Sequence, residues 1–276
     1  MINNFKVTVL SENSSSQNSL KAEHGLSFYI ETEANKYLFD TGASDIFKRN
    51  AEILKINLED TDAVVVSHNH YDHTGGLEFL YDKKVYVHNQ FFQKKYKKIE
   101  GQFIDIGISQ RESAYTRLQF EKIEKTIAID ANTQIICDFK KNDYEDYFYL
   151  KVNETMQPDV FADELAMSFN TTKGLVIVTG CSHSGIIHII DKAIDVNKTK
   201  NIYALLGGFH LSKVSEEENK IVAEKLRTYQ IGNIGISHCT GDKLIKYQTF
   251  GNYFNFNVGD KFELGTDTNL NPGIFQ

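Results

Sequence analysis

Proline occurs only twice in the 276 residues and cysteine only three times. So few prolines, with no low-complexity stretch, leave no candidate linker; residues 1–276 read as one domain without internal repeats. Three scattered cysteines are too few for a disulfide framework. No run approaches the roughly 20 apolar residues that span a bilayer, so no membrane association is expected. Met1-Ile2-Asn3-Asn4-Phe5 lacks the basic head and apolar core of a secretory signal. A basic surplus is missing too: the net charge is −7, which argues against generic nucleic-acid binding. A soluble cytoplasmic chain acting on a small molecule is the expectation, and nothing in the pattern fixes an oligomeric state.

Apolar material, by contrast, is plentiful. Hydrophobic residues make up 41% of the chain, including 19 Phe and 14 Tyr, enough for a sizeable core. Histidine is scarce but concentrated. Of nine in the chain, three fall in the stretch Ser67-His68-Asn69-His70-Tyr71-Asp72-His73-Thr74-Gly75-Gly76, directly after the apolar run Ala63–Val66. Neutral imidazole and carboxylate are ligands that zinc, iron and manganese accept readily. In an extended segment i, i+2 and i+4 share a face, so His68, His70 and Asp72 can converge on one side. His73 breaks that alternation and points elsewhere unless the chain turns, which Thr74-Gly75-Gly76 allows. The loop has too few ligands for two ions, so others must come from elsewhere.

Along the chain, Phe5–Leu10 alternates as a strand, and the Ser/Asn-rich segment 11–19 reads as a mobile surface loop. Leu26–Glu31 and Lys36–Phe39 read as a hairpin whose second strand ends in Asp40-Thr41-Gly42. Ile46, Phe47, Ile53 and Leu54 give a helical stripe, and Leu77–Leu80 looks like a helix start. Lys84–His88 is a further strand, with His88 at its end. The basic run Gln93–Lys98 is expected to be a solvated helix face, with an anion clamp for a phosphorylated substrate as the alternative. The middle, 102–149, combines an expected helix over Ser113–Leu118 with strand-like runs such as Thr133–Phe139, and carries no recognisable chemistry. Gly174–Thr179, Asn201–Leu206 and Asn233–Ile236 read as strands ending in Gly180-Cys181-Ser182-His183, Gly207-Gly208-Phe209-His210 and Ser237-His238-Cys239. Each is followed by a helix; the second is capped by a Ser215–Glu218 box, and His188 falls on the solvated face of the first. Strands at Asn252–Asn257 and Lys261–Leu264 are expected to close the sheet. If the strands share an edge, the histidines and Asp40 meet in one crevice.

The His68-x-His70-x-Asp72-His73 motif resembles the signature of the metallo-β-lactamase superfamily, as does Asp40-Thr41-Gly42 before it. Glu23-His24-Gly25-Leu26-Ser27, Gly180-Cys181-Ser182-His183, Gly207-Gly208-Phe209-His210-Leu211 and Ser237-His238-Cys239-Thr240-Gly241 resemble one subfamily more narrowly. That group is named after the dihydropterin–ribofuranosylaminobenzene phosphate synthase of methanopterin biosynthesis. The resemblance implies an α/β fold, a four-layer αββα sandwich with a two-metal site at one edge. It implies two divalent ions, zinc first with iron or manganese as alternatives. His68 and His70 would hold the first, and Asp72, His73 and His238 the second. Asp40 would orient a ligand imidazole. Where the commoner pattern has a Gly-Asp, this chain has Gly180-Cys181. His183, Cys181 as thiolate, or Asp163 could complete the site, with His183 favoured and Cys181 a near neighbour.

The function expected from this set is metal-dependent hydrolysis, with activated water attacking a small, possibly phosphorylated substrate. Asp72 and His210 are the catalytic candidates, His210 for substrate contact or proton transfer to the leaving group, and His24 belongs to the pocket rim. Two alternatives stand beside it: the synthase-like transfer that releases diphosphate, and a non-catalytic metabolite-binding protein retaining the metal site. Di-iron redox chemistry ranks last, since the chain has no flavin domain or cysteine cluster to deliver electrons.

Overall fold

The computed structural model describes residues 1–108, 112–140, 147–247 and 251–265. The first part of the chain forms β1 (Phe5–Ser11), β2 (Ser27–Thr32), β3 (Lys36–Phe39), α1 (Ile46–Ile53), β4 (Ala63–Val65), the single turn α2 (Tyr71–Thr74) and β5 (Lys83–His88). The middle forms β6 (Lys95–Ile99), β7 (Gln102–Asp105), β8 (Leu118–Ile123), β9 (Ile127–Ala128), β10 (Thr133–Ile136), β11 (Phe148–Val152) and β12 (Thr155–Pro158). The last part forms β13 (Ala166–Thr171), β14 (Gly174–Thr179), α3 (Ile186–Asn197), β15 (Ile202–Gly207), α4 (Glu216–Thr228), β16 (Asn233–Ile236), β17 (Asn252–Asn255) and β18 (Lys261–Glu263).

Two seven-stranded sheets run in the orders β18-β1-β2-β3-β4-β5-β8 and β17-β16-β15-β14-β13-β10-β9. Period-two alternation sends one face of each strand to the other sheet and the opposite face to helices. Val65 points inward, where Val7, Phe28 and Phe39 meet Met167, Phe169, Val176 and Leu206. Its neighbours Val64 and Val66 point outward onto Phe47 and Ala51 of α1. On the other side Ile177, Leu205 and Ile234 pack against Ile186, Ile190, Val222 and Leu226 of α3 and α4. Three apolar layers between four structural ones make the αββα sandwich. The Ser215–Glu218 capping box opens α4 as its sequence specifies.

Strand direction places the site. β3, β4, β5 and β8 are mutually parallel, as are β14, β15, β16 and β17, so several strands of each sheet finish at a common edge. Phe39 pairs with Val65, while Gly207 pairs with both Thr179 and Ile236, so the loops after these strands start level. The histidine loops therefore belong to two sheets rather than one, and the crevice lies between them. The C-terminal strands likewise close different edges, β17 on the second sheet and β18 on the first.

Several local expectations are corrected. The basic run forms no helix: β6 pairs with β11 and β7 in a separate sheet ordered β12-β11-β6-β7. Alternation explains this, since Lys95 is buried while Lys94 and Lys98 are exposed. Ser113–Leu118 is also no helix. Only a 3-10 turn, Glu112–Ala114, precedes β8, where pairing with β5 claims Leu118; six residues are too few for an isolated helix nucleus. Gly75–Phe79 and Lys243–Tyr247 are likewise 3-10 turns rather than helices. The Ser/Asn loop is tied down: Ser16 N–H donates to Val258 O, and Ser14 N–H and Oγ–H donate to the buried Glu12 carboxylate.

Candidate metal centre

The centre starts at Asp40, at the end of β3. Its carboxylate is fully buried, with Oδ1 accepting from Ser67 N–H at 2.6 Å and Oδ2 from Ser67 Oγ–H at 2.7 Å. The same Oδ2 accepts from His73 Nδ1–H at 2.7 Å. A hydroxyl that gives its one proton to Asp40 must accept from its next neighbour, His68 Nδ1–H, at 2.9 Å. One carboxylate thus sets Nδ1 of two imidazoles as the donor, directly in His73 and through Ser67 in His68, and turns both Nε2 atoms toward the other site groups. Gly180 makes the contact possible. A Cβ there would fall 2.2 Å from Ser67 Oγ.

Beyond Asp40 the rings gather. His68 Nε2 lies 3.0 Å from His70 Nδ1, and the His68, His70 and His183 rings have centroids 4.5–5.0 Å apart. His70 Nε2 and both ring nitrogens of His183 are buried without a hydrogen-bond partner. His183 stacks face to face on Phe161 at 3.9 Å, and its own N–H and that of Ser184 donate to the buried Glu164 carboxylate at 2.7 Å each. Burial pushes His68, His70 and His183 well below the ordinary histidine value, so all three are neutral, the form that binds cations. Burial likewise lifts Glu164 to about 7, against the hydrogen bonds from Ser184 and His183.

A second group forms around Asp72. Burial opposes its ionisation, but His73 and the hydrogen bonds from His238 and His24 hold its carboxyl well below the usual range. Asp72 Oδ2 lies 3.1 Å from His24 Nε2 and 3.3 Å from His238 Nε2. His238 is oriented by Asn13 Oδ1 at Nδ1, 3.0 Å away, and by Glu12, which accepts its backbone N–H. Cys181 Sγ stands between the groups, 3.2 Å from His73 Nε2. Burial opposes ionisation of both site thiols. It raises Cys181 well above the ordinary value, whereas the hydrogen bonds with Cys181 and His210, reinforced by His238, pull Cys239 down.

Among the described residues, five sets of side chains have ligand atoms within 4.8 Å of one another: His68-His73-Cys181, His68-His70-His183, Cys181-His183-His210, Cys181-His238-Cys239 and His24-Asp72-His238. Buried, neutral, unpartnered ring nitrogens facing one another are costly unless something completes them. These donors fit a divalent cation. The geometry also sorts the sequence candidates. His210 joins the ring cluster, 4.2 Å from His183, rather than standing beyond it. His24 is largely exposed at the rim. Asp163 faces away: it takes the Lys95 ammonium and the Asn69 N–H. His88 accepts from Gln90 N–H, and His188, half-buried, donates to Ser184 O just ahead of its own helix. Four site loops carry a non-glycine residue in the left-handed region: Asp40, Ser182, His210 and His238, with φ between 51° and 59°.

Sequence reasoning missed several contributors. Cys239 adjoins His238 and could have been read from that adjacency. Glu12, Asn13 and Glu164 are ordinary polar residues with no local signature, and an isolated phenylalanine such as Phe148 or Phe161 carries none either. Phe148, from the middle segment that showed no chemistry, packs its ring 5.0 Å from His70 and 5.2 Å from His183. Lys95 is buried between Asp159 and Asp163, and Asp163 in turn anchors the Asn69 amide between His68 and His70. Lys95→Met would leave two neighbouring carboxylates buried without their cation. The expected loss is about 3–5 kcal/mol in urea unfolding.

Residues 20–88 match the model of the metallo-beta-lactamase superfamily. Over 270 residues the chain is 30% identical to the 7,8-dihydropterin-6-methyl-4-(beta-D-ribofuranosyl)-aminobenzene-5'-phosphate synthase of Methanocaldococcus jannaschii, covering 88% of this chain and 90% of the synthase. The chain belongs to the metallo-β-lactamase superfamily. Its structure is similar to that of Tm1679, described as a metal-dependent hydrolase of the beta-lactamase superfamily, with a TM-score of 0.81 and 31% identity over 94% of this chain and 99% of that one. A diphosphatase of the PhnP family shares the fold at 14% identity, with a TM-score of 0.57 over 95% and 98% of the two chains. The protein is thus a metal-dependent enzyme of the metallo-β-lactamase superfamily. No helix among the described residues is long and apolar enough to cross a membrane.

Proposed function

We propose that the protein is a hydrolase holding two divalent cations, zinc foremost, at the edge between its two sheets. The observation that carries this reading is the convergence of His68, His70 and His183, with His70 Nε2 and both ring nitrogens of His183 buried without a hydrogen-bond partner. These three would hold one cation; Asp72, His73 and His238 would hold the other, with Cys181 between them. When bound, the cations supply Lewis acidity toward a carbonyl or phosphoryl oxygen and acidify water. The chain's own groups do the rest. Asp72, kept ionised by His73, His238 and His24, orients the attacking water and takes up its proton. His210 stands beside His183 to deliver a proton to the leaving group. Phe148 and Phe161 exclude bulk solvent from the rings, which strengthens each of these interactions.

A second reading, synthase-like transfer, is favoured by the 30% identity to the synthase over most of both chains. Here a pterin-methyl diphosphate would be joined to an aryl ribose phosphate with release of diphosphate. One experiment separates the two. The metal-loaded protein is offered lactone, thioester, phosphodiester and phosphomonoester panels, then the two synthase substrates singly and together. Turnover of one ester class that disappears in Asp72→Asn is expected for the hydrolase. Diphosphate release only when both synthase substrates are present would establish the transferase instead. Inactivity throughout would leave a metabolite-binding protein.

A further inference from the structure

We propose that Lys97 and Lys213 form a subsite for a phosphate group of the substrate, set beside Phe148 at the mouth of the imidazole cluster. Alternation along β6 sorts its lysines by face. Lys95 and Lys97 share a face, and Lys94 and Lys98 share the other. On the outer face Lys94 lies 4.0 Å from Asp105, and Lys98 lies over the Phe103 ring. On the inner face Lys95 is buried and neutralised by Asp159 and Asp163. Lys97 is the next residue on that inner face. It is directly paired across the sheet with Phe148, and its ammonium is 5.5 Å from the centre of that ring. The same ring packs 5.0 Å from His70, 5.2 Å from His183 and 5.8 Å from His210. One aromatic side chain therefore separates the Lys97 ammonium from the cluster.

The second cation arrives on another element. Lys213 lies three residues after His210 in the loop following β15, and its side chain reaches hydrogen-bonding range of Lys97. Two ammonium groups brought this close repel. Among the described residues no carboxylate stands within ion-pair distance of either. Burial and then the neighbouring Lys213 hold Lys97 below the ordinary lysine value, as expected for like charges brought together. A dianion bridging the two would relieve the repulsion, and phosphate oxygens suit such charge-assisted contacts. Lys97 is half-buried and Lys213 exposed, so the subsite opens to solvent on one side and toward the reacting groups on the other. Of the basic run read from the sequence, a single lysine thus acts on substrate, and its partner comes from outside the run. The inference rests on the reading of the imidazole cluster as the reacting centre.

The test is calorimetric titration of the metal-loaded full chain with inorganic phosphate and with inorganic diphosphate. Wild type is compared with Lys97→Gln, Lys213→Gln, the double variant and Lys97→Arg. Each variant is checked for metal content and melting temperature, which these solvent-reaching side chains are expected to leave unchanged. At least a tenfold rise in Kd in the double variant, with Lys97→Arg close to wild type, is the expected result for one or both anions. Diphosphate alone responding would identify the ligand group as a diphosphate. An unchanged Kd in the double variant, or no binding to wild type, would overturn the proposal. Because binding is measured without turnover, failure of the hydrolase reading on every ester panel would leave this result standing.

Discussion

A chain carrying His68→Ala together with His70→Ala is expected to lose its metal and its activity together. His68 and His70 supply two of the three ring nitrogens around the His183 position, and His68 also belongs to the set with His73 and Cys181. Removing both rings leaves one imidazole where three converged, too few donors for a closed or catalytic cation site. Elemental analysis of protein purified without added metal should show the metal content falling toward zero. Turnover should fall by about 10³-fold or more, as for loss of groups that act as a unit. Folding should survive, because the three apolar layers are built from other residues. Metal retained at the wild-type ratio would refute the assignment of these histidines.

The second large effect is expected at Asp40, whose carboxylate touches no solvent and makes three hydrogen bonds within the site. Asp40→Ala releases the His73 ring and the Ser67 hydroxyl that fixes His68. Metal affinity should fall about 10–100-fold, the usual consequence of removing a group that orients ligand imidazoles. The metal-free protein offers an independent readout through pH. Burial alone would push His73 down, but the Asp40 and Asp72 carboxylates lift it from 6.5 to about 9. A raised folded-state value means that His73 contributes stability fully below pH 6.5 and loses it as pH rises through about 9. The contribution is about 3 kcal/mol, at 1.36 kcal/mol per pH unit. Melting temperature of chelator-treated wild type should therefore decline between pH 7.5 and 9.5. Glu164, raised from 4.5 to about 7, contributes stability at low pH and loses it as pH rises through about 7, before that window. Asp40→Ala should melt lower at pH 7.5 and show a much shallower decline. A flat wild-type profile would contradict the His73–Asp40 coupling.

The histidine loop, the strand ends and the αββα class were legible because each depends on local pattern. An apolar run buried on both faces followed by glycine and histidine reads the same wherever it sits in the chain. What failed was equally local in origin. The run Gln93–Lys98 has four lysines and no apolar stripe, yet it forms β6, because Lys95 finds two buried carboxylates 64 and 68 residues away. Lysine content says nothing about such partners. The segment 11–19 looked like loose polar loop, yet Glu12 and Asn13 bind His238, more than 220 residues distant. Side chains with no sequence signature acquire a role only when the fold delivers a partner.

The division between sequence and tertiary structure follows from that. By itself the sequence determined the class of chemistry, since imidazole and carboxylate density after a buried strand is a property of neighbours in the chain. It also determined where the loops begin, since strand length and glycine position are local. Tertiary structure alone decided which of those loops face one another. It placed His210 beside His183, set Cys181 between the two groups, and turned Asp163 away to Lys95. Strand register across two sheets and a close approach at Gly180 set those distances, and both are properties of pairing between residues far apart in the chain.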